Sequence, residues 1–155
     1  MAFRSEEEKT RDILMYETKA EAGEIREKYI KTNKLANTVT LITAVVVLIA
    51  GFPLFYSAYG NESIVLMLTV VIASLLLIIG ARFVTGAILS HSLSVFLKWG
   101  SLSAKWEAAR KDMHTLEEKF AEDRAFENDI TEAETKLMSV SKSLIEFAKK
   151  NNIEY

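Results

Sequence analysis

Four residues, Gly86, Ser90, Ser94 and Lys98, recur at intervals of four through an otherwise apolar stretch. On one helix, that spacing gathers small and hydroxyl side chains on a single face with an amine at its end. Several copies around an axis could line an aqueous path with such a face. The same spacing also permits close helix packing without any path. A second candidate is "KWGSLSAKW", which repeats Lys-Trp at an interval of seven, as Lys98-Trp99 and Lys105-Trp106. A ring beside a cation is what a nucleobase and its phosphate require. The third is a set of cations, Lys28, Lys31, Lys34, Arg82, Lys98 and Lys105, flanking two long uncharged runs. Repeated around an oligomer, they could hold an anionic ligand or repel cations from a vestibule. Attraction to anionic lipid headgroups is their other use.

No catalytic arrangement accompanies these residues. Without cysteine there is no thiol catalysis, disulfide or thiolate metal site. His91 and His114 lie on different segments, with no paired carboxylate at ligand spacing, so no metal centre is expected. "GARFVTG" lacks phosphate-loop spacing and follows no strand, and no serine sits in a nucleophile elbow. The expectation is a protein that is not an enzyme and uses no cofactor. The net charge of -2 divides into eight Lys/Arg and eight Asp/Glu in residues 1–34 and nine against twelve in residues 101–155. Neither end is a polybasic arm suited to duplex DNA.

The elements that must position the candidates are dominated by two uncharged runs, Leu35 to Asn61 and Ser63 to Ala81. Each is long enough to cross the roughly 30 Å hydrocarbon layer as a helix. Spans are expected at about 36–58 and 63–83, joined by the tight turn "YGNE". The hydrophobic signal starts behind a charged segment, unlike a cleavable signal peptide. Phe52, Phe55, Tyr56 and Tyr59 cluster as interfacial aromatics do, and Pro53 should kink the outer third of the first span. Lys28, Lys31 and Lys34 precede the first span and Arg82 and Lys98 follow the second, which places both termini in the cytoplasm. Counting 22 residues from Gly60 puts Arg82 opposite Thr38, about 33 Å from the hairpin apex and near the inner headgroups. There an arginine can snorkel cheaply. "FVTGAILSHSLSVFLK" (83–98) is then expected to continue as a helix about 24 Å into the cytoplasm, its apolar side chains covered by the N-terminal helix or, the better candidate, by other copies of the chain.

Before the spans, residues 1–34 read as a cytoplasmic amphipathic helix. It opens with Ser5 and Glu8 in capping-box spacing and carries Ile13, Tyr16, Ala20 and Gly23 beside Ala22, Ile25 and Tyr29. After them, Trp99, Leu102, Trp106, Ala109, Met113, Leu116 and Phe120 step by three and four, a heptad seam. Phe126, Ile130, Ala133, Leu137, Val140, Leu144 and Phe147 form a second seam, out of phase with the first. A break between residues 121 and 131 is expected, with capping pairs Asp129–Glu132 and Thr131–Glu134. The fold class is therefore an all-α membrane protein: an amphipathic N-terminal helix, a two-helix transmembrane hairpin over 35–98 with its cytoplasmic extension, and a coiled-coil-like C-terminal region over 99–155 serving oligomerisation or regulation.

This layout resembles the SLATT family of bacterial two-transmembrane effectors. The likeness rests on the charged helix "YETKAEAGEIREKYIKTNK", the tight hairpin and a helical tail bearing Trp and Lys. The family has no sharp catalytic motif, so no residue is carried over from it. The resemblance implies a homo-oligomeric pore or ion channel of the bacterial inner membrane, with a tetramer favoured. It also implies control by a nucleotide or oligonucleotide made by a partner nucleotidyltransferase, and a role in anti-phage defence by depolarisation. No separate nucleotide-sensing domain is visible in the chain. A non-conducting anchor or scaffold that docks a cytoplasmic partner through its tail is the alternative. A holin-like lesion former is a third reading, disfavoured by the long tail.

Overall fold

In a computed structural model, which describes residues 6–60, 63–122 and 127–155, the described chain is all-helical: α1 (Glu6–Gly60), α2 (Ile64–Leu89), α3 (Leu93–Glu122) and α4 (Glu127–Lys150). The Ser5–Glu8 capping box, most of the "YGNE" turn and the junction at 123–126 lie outside the described residues, as do the side chains of Phe120 and Phe126. The chain divides into two compact units: Met1–Tyr29 with Leu97–Tyr155, and Ile30–Phe96.

The first unit is a three-helix bundle made from both ends of the chain. The α1 segment runs antiparallel to α3: Gly23 faces the Trp106 ring, and Tyr29 packs edge-on against Trp99 with centroids 5.5 Å apart. α4 runs antiparallel to α3, joined by Trp106–Ser141 and Asp112–Lys136. From the first seam, Trp99, Trp106 and Ala109 are buried; from the second, Ala133, Leu137, Leu144 and Phe147. α1 contributes Ala22 and Ile25, both fully buried. Burying these faces against one another removes apolar surface from water, the main favourable term for such a bundle. The buried members of both heptad seams are thus covered within one chain, where the sequence led us to expect packing between copies. The N-terminal segment belongs to the same packed unit as the C-terminal helices. Of its two apolar rows, Ala22–Ile25–Tyr29 faces the bundle, whereas Ile13, Tyr16 and Ala20 are exposed.

The second unit is the hairpin of α1 and α2. Both helices are long and apolar enough to cross a membrane. Pro53 lies inside α1 without ending it. The Ser63 amide donates to the Ala58 carbonyl at 3.1 Å, closing the end of α1. Ser63 also caps α2, its hydroxyl accepting from the Leu66 amide at 3.4 Å. This is the usual N-cap role of serine, which satisfies an amide that has no partner in the first turn.

Candidate functional site

The face proposed from Gly86, Ser90, Ser94 and Lys98 requires one continuous helix through residue 98. The chain instead turns at Ser90–Ser92, so α2 ends at Leu89 and α3 begins at Leu93. Serine side chains make this stop. The Ser90 hydroxyl donates to the Gly86 carbonyl at 2.6 Å and lies 3.1 Å from the Ser92 carbonyl, and the Ser90 amide also returns to Gly86. His91 takes the left-handed region with φ 65°, which a helix cannot continue through. Ser92 then caps α3, its hydroxyl accepting from the Val95 amide at 3.1 Å. Phe96 folds back onto α2, so close that a Cβ on Gly86 would lie 2.5 Å from its ring.

The four residues therefore share no face. Gly86 and Ser90 are buried inside the corner, whereas Ser94 and Lys98 are exposed on α3. The helical extension of about 24 Å is corrected for the same reason. Hydroxyl side chains can redirect the backbone to local partners with no Gly or Pro breaker, and here they do.

The six cations fall three and three. In the bundle, Lys28 donates to the Glu154 carbonyl, Lys98 lies 5.8 Å from the centroid of the Phe147 ring, and Lys105 is exposed. In the hairpin unit, Lys31 and Lys34 are exposed on α1, and the Arg82 guanidinium on α2 donates to the Asn33 side chain at 3.3 Å. Asn33 lies five residues further from the apex than Thr38, roughly 7.5 Å along a helix. Arg82 therefore reaches away from the apolar run, as a snorkelling arginine does.

The two Lys-Trp pairs also separate. Both tryptophans are core residues, at 1% and 4% exposure for Trp99 and Trp106, so neither ring is a free stacking platform. The Trp106 indole donates to the Ser141 hydroxyl at 3.0 Å. Arg26 and Arg110 lie within 5.7 and 5.5 Å of the Trp106 ring centroid, and Arg26 pairs with Glu107 at 2.8 Å. One heptad earlier, the buried Trp99 indole N–H and the Ser103 hydroxyl have no protein partner. Tyr29 sits against this layer, where a Cβ on Gly100 would meet the Tyr29 oxygen at 2.5 Å.

A tie that the sequence reading missed closes the bundle at the far end of α4. Asn152 adopts φ 50°, the Ile153 amide returns to the Ala148 carbonyl at 3.0 Å, and Ile153 is buried. This reversal is the Schellman closure of a helix, with Asn in the left-handed position. It carries the Tyr155 hydroxyl to the Glu21 carboxylate, beside Lys149 at 3.2 Å. The Tyr155 hydrogen bond, aided by Lys149 and opposed by burial, lowers the Glu21 carboxyl below its ordinary value. The same bond, with burial and acidic neighbours, pushes Tyr155 up to about 12. The available signal was "KKNNIEY", two asparagines after a basic last turn.

Two concavities each lie between helices of the same unit. A cleft of about 450 Å³ between α3 and α4 is lined by Asp112, Lys119, Asp129, Glu132 and Lys136, with acids and bases mixed. A groove of about 420 Å³ between α1 and α2 is almost wholly apolar, with Ser74 as its polar side chain. Among the described residues, no group of three His, Asp or Glu side chains could hold a metal ion. No family model, curated protein or solved structure matches this chain.

Proposed function

We propose that the chain is a membrane-embedded homo-oligomeric ion channel whose cytoplasmic bundle governs conduction, a tetramer in the bacterial inner membrane being the favoured form. The observation that carries this reading is the continuity of α1, which is one helix from Glu6 in the bundle to Gly60 in the hairpin. The return path is nearly as direct, since three residues separate α2 from α3. A tether needs only a flexible linker; rigid helices entering and leaving a folded bundle are what mechanical gating needs. A two-helix hairpin encloses no path, so conduction demands several copies. The resemblance to SLATT effectors points to a nucleotide or oligonucleotide as the governing signal and to anti-phage depolarisation as the outcome.

Recording from purified protein in planar bilayers tests the proposal. Unitary currents are expected, and inserting four glycines after Ile30 should uncouple them from any ligand added to the bundle side. A folded oligomer that passes no current under any ligand condition would sink the channel.

The non-conducting anchor is the second reading. It is favoured by the burial of Trp99, Trp106, Leu137 and Leu144 within one chain, which gives a folded bundle able to display a docking surface. On that reading, the glycine insertion leaves partner binding unchanged and no current exists to lose.

A further inference from the structure

The α2–α3 corner is puzzling as a solvated element. Phe83, Val84, Ile88, Leu89 and Leu93 are all partly or strongly exposed there, with Ile88 at 70%. We propose that this corner seats in the headgroup layer of an anionic bilayer leaflet, its apolar side chains in lipid and its cations on phosphate. The inference rests on the hairpin spanning a membrane, as above.

Depth supports the assignment. The Arg82 guanidinium reaches Asn33, one residue from Lys34, so it lies at the level of the last charges before the α1 span. Leu89 follows Arg82 by seven residues, about 10 Å of helix, somewhat more than the roughly 5–8 Å of headgroup layer on one side of a bilayer. Side chains on a helix slant toward its N-terminus, which for α2 is back toward the apolar span. Ile88 and Leu89 therefore lean into the membrane and not away from it. Where the apolar layer would end, the chain turns: Ser90, His91 and Ser92 form the polar corner, and Phe96 is buried against Gly86. The bend removes the apolar extension that a straight helix would have pushed into water.

Charge decides between lipid and a second copy as occupant. Residues 30–96 contain Lys31, Lys34 and Arg82 at this end and a single carboxylate, Glu62, in the connection at the other end. Copies in one membrane related by an axis along its normal would bring the same cationic layer against itself. Anionic headgroups oppose that layer with complementary charge, each Lys or Arg near the surface favouring them by a factor of about five.

The absence of cysteine allows single labels to report depth. An environment-sensitive fluorophore would be placed on Ile88→Cys, on Ile72→Cys in mid-span, and on Glu146→Cys on the bundle surface. The full-length protein would be reconstituted in phosphatidylcholine vesicles with and without phosphatidylglycerol, and quenched by lipids carrying spin labels at different depths. The expected pattern is strongest quenching of residue 72 by deep labels, of residue 88 by headgroup-level labels, and none at residue 146. Changing Lys31, Lys34 and Arg82 together to Gln should lower the preference for phosphatidylglycerol in the boundary lipid by at least about five-fold, with residue 72 still deep. A deep residue 72 with residue 88 unreachable by any lipid label overturns the inference; disulfide formation between copies at 88 would then identify a second copy as the occupant. An unchanged lipid preference in the triple variant overturns its anionic part. If residue 72 itself is not reached by lipid, the spanning reading fails and the corner assignment fails with it.

Discussion

The two units differ in how often their polar side chains find partners on another helix. In the hairpin, hydroxyls turn inward on their own helices: Thr38, Thr40, Thr43, Thr69 and Ser74 each donate to the carbonyl four residues back, at 2.7–3.0 Å. In the bundle, polar groups also reach across. Lys19 pairs with Glu134 at 2.9 Å, Arg26 with Glu107 at 2.8 Å, Lys136 with Asp112 at 3.3 Å, and Trp106 with Ser141. Thr10, Thr18, Thr115, Thr135 and Ser143 in the bundle make the same local bond, so what sets the bundle apart is its set of cross-helix ion pairs. In water, cross-helix pairs fix which faces meet, although exposed ones add only about 0–1 kcal/mol each. The bundle should therefore be sensitive to single side chains, salt and pH, and the hairpin to packing alone.

The largest effect that would break this comparison lies at Trp106. Trp106→Ala deletes a buried ring and leaves Ser141 without its donor, and should cost the bundle about 3–5 kcal/mol. Urea titration in detergent, followed by near-ultraviolet circular dichroism, measures it. The hairpin helices should persist through that transition in the far-ultraviolet signal. Simultaneous loss of all helicity would show that the two units are one cooperative block.

Next comes Gly86→Val, which forces a side chain into the space held by Phe96 and should cost about 1–3 kcal/mol locally. Hydrogen exchange should quicken at residues 90–96 and not in α4. Pairing it with Phe96→Ala should recover part of the loss, since the clash is with that ring. No recovery would mean that the corner is held by its serines alone.

The sequence made the two units legible to different degrees. Both long apolar helices and the seams could be read, because apolar runs and a three-four period are properties of the chain itself. What closes a seam cannot be read the same way. A heptad identifies the face that seeks a partner, while a second helix of the same chain and a second copy satisfy it equally. Trp99 and Leu144 carried no mark distinguishing the two. The corner was hidden for another reason. Its stop is built from Ser90, Ser92 and a left-handed His91, with neither Gly nor Pro at the turn, so only Ser92 three residues before Val95 hinted at a new helix start. Among the candidate sites, the cations can be named from their type alone, while their division three and three between the units needs the packing.

A smaller effect sharpens the comparison inside the bundle. Trp106→Phe keeps most of the ring but removes the donor to Ser141, and should cost about 1–3 kcal/mol. Trp99→Phe removes an indole N–H that has no protein partner, so it should be near neutral or slightly stabilising in the same titration. Equal losses at the two positions would mean that Trp99 is held by its packing as strictly as Trp106 is by its bond.

The smallest expected effect concerns the clip between Glu21 and Tyr155. Glu21→Gln should cost under about 1 kcal/mol at neutral pH, because the pairing with Lys149 is largely open to water. Its pH dependence is more telling than its size. The folded protein holds the Glu21 carboxyl below the ordinary glutamate value, chiefly through the Tyr155 hydroxyl, so it binds that proton less readily than the unfolded chain. The contribution is full above the ordinary value and is lost as pH falls through the lowered one. Tyr155 moves the other way. Pushed up to about 12, it contributes below the ordinary tyrosine value and loses that contribution as pH rises through about 12. The difference in bundle melting temperature between the native chain and Glu21→Gln should thus form a plateau between those limits and shrink at both ends. A difference that persists unchanged as pH falls through the lowered Glu21 value would assign the effect to packing around Glu21 instead of to its charge.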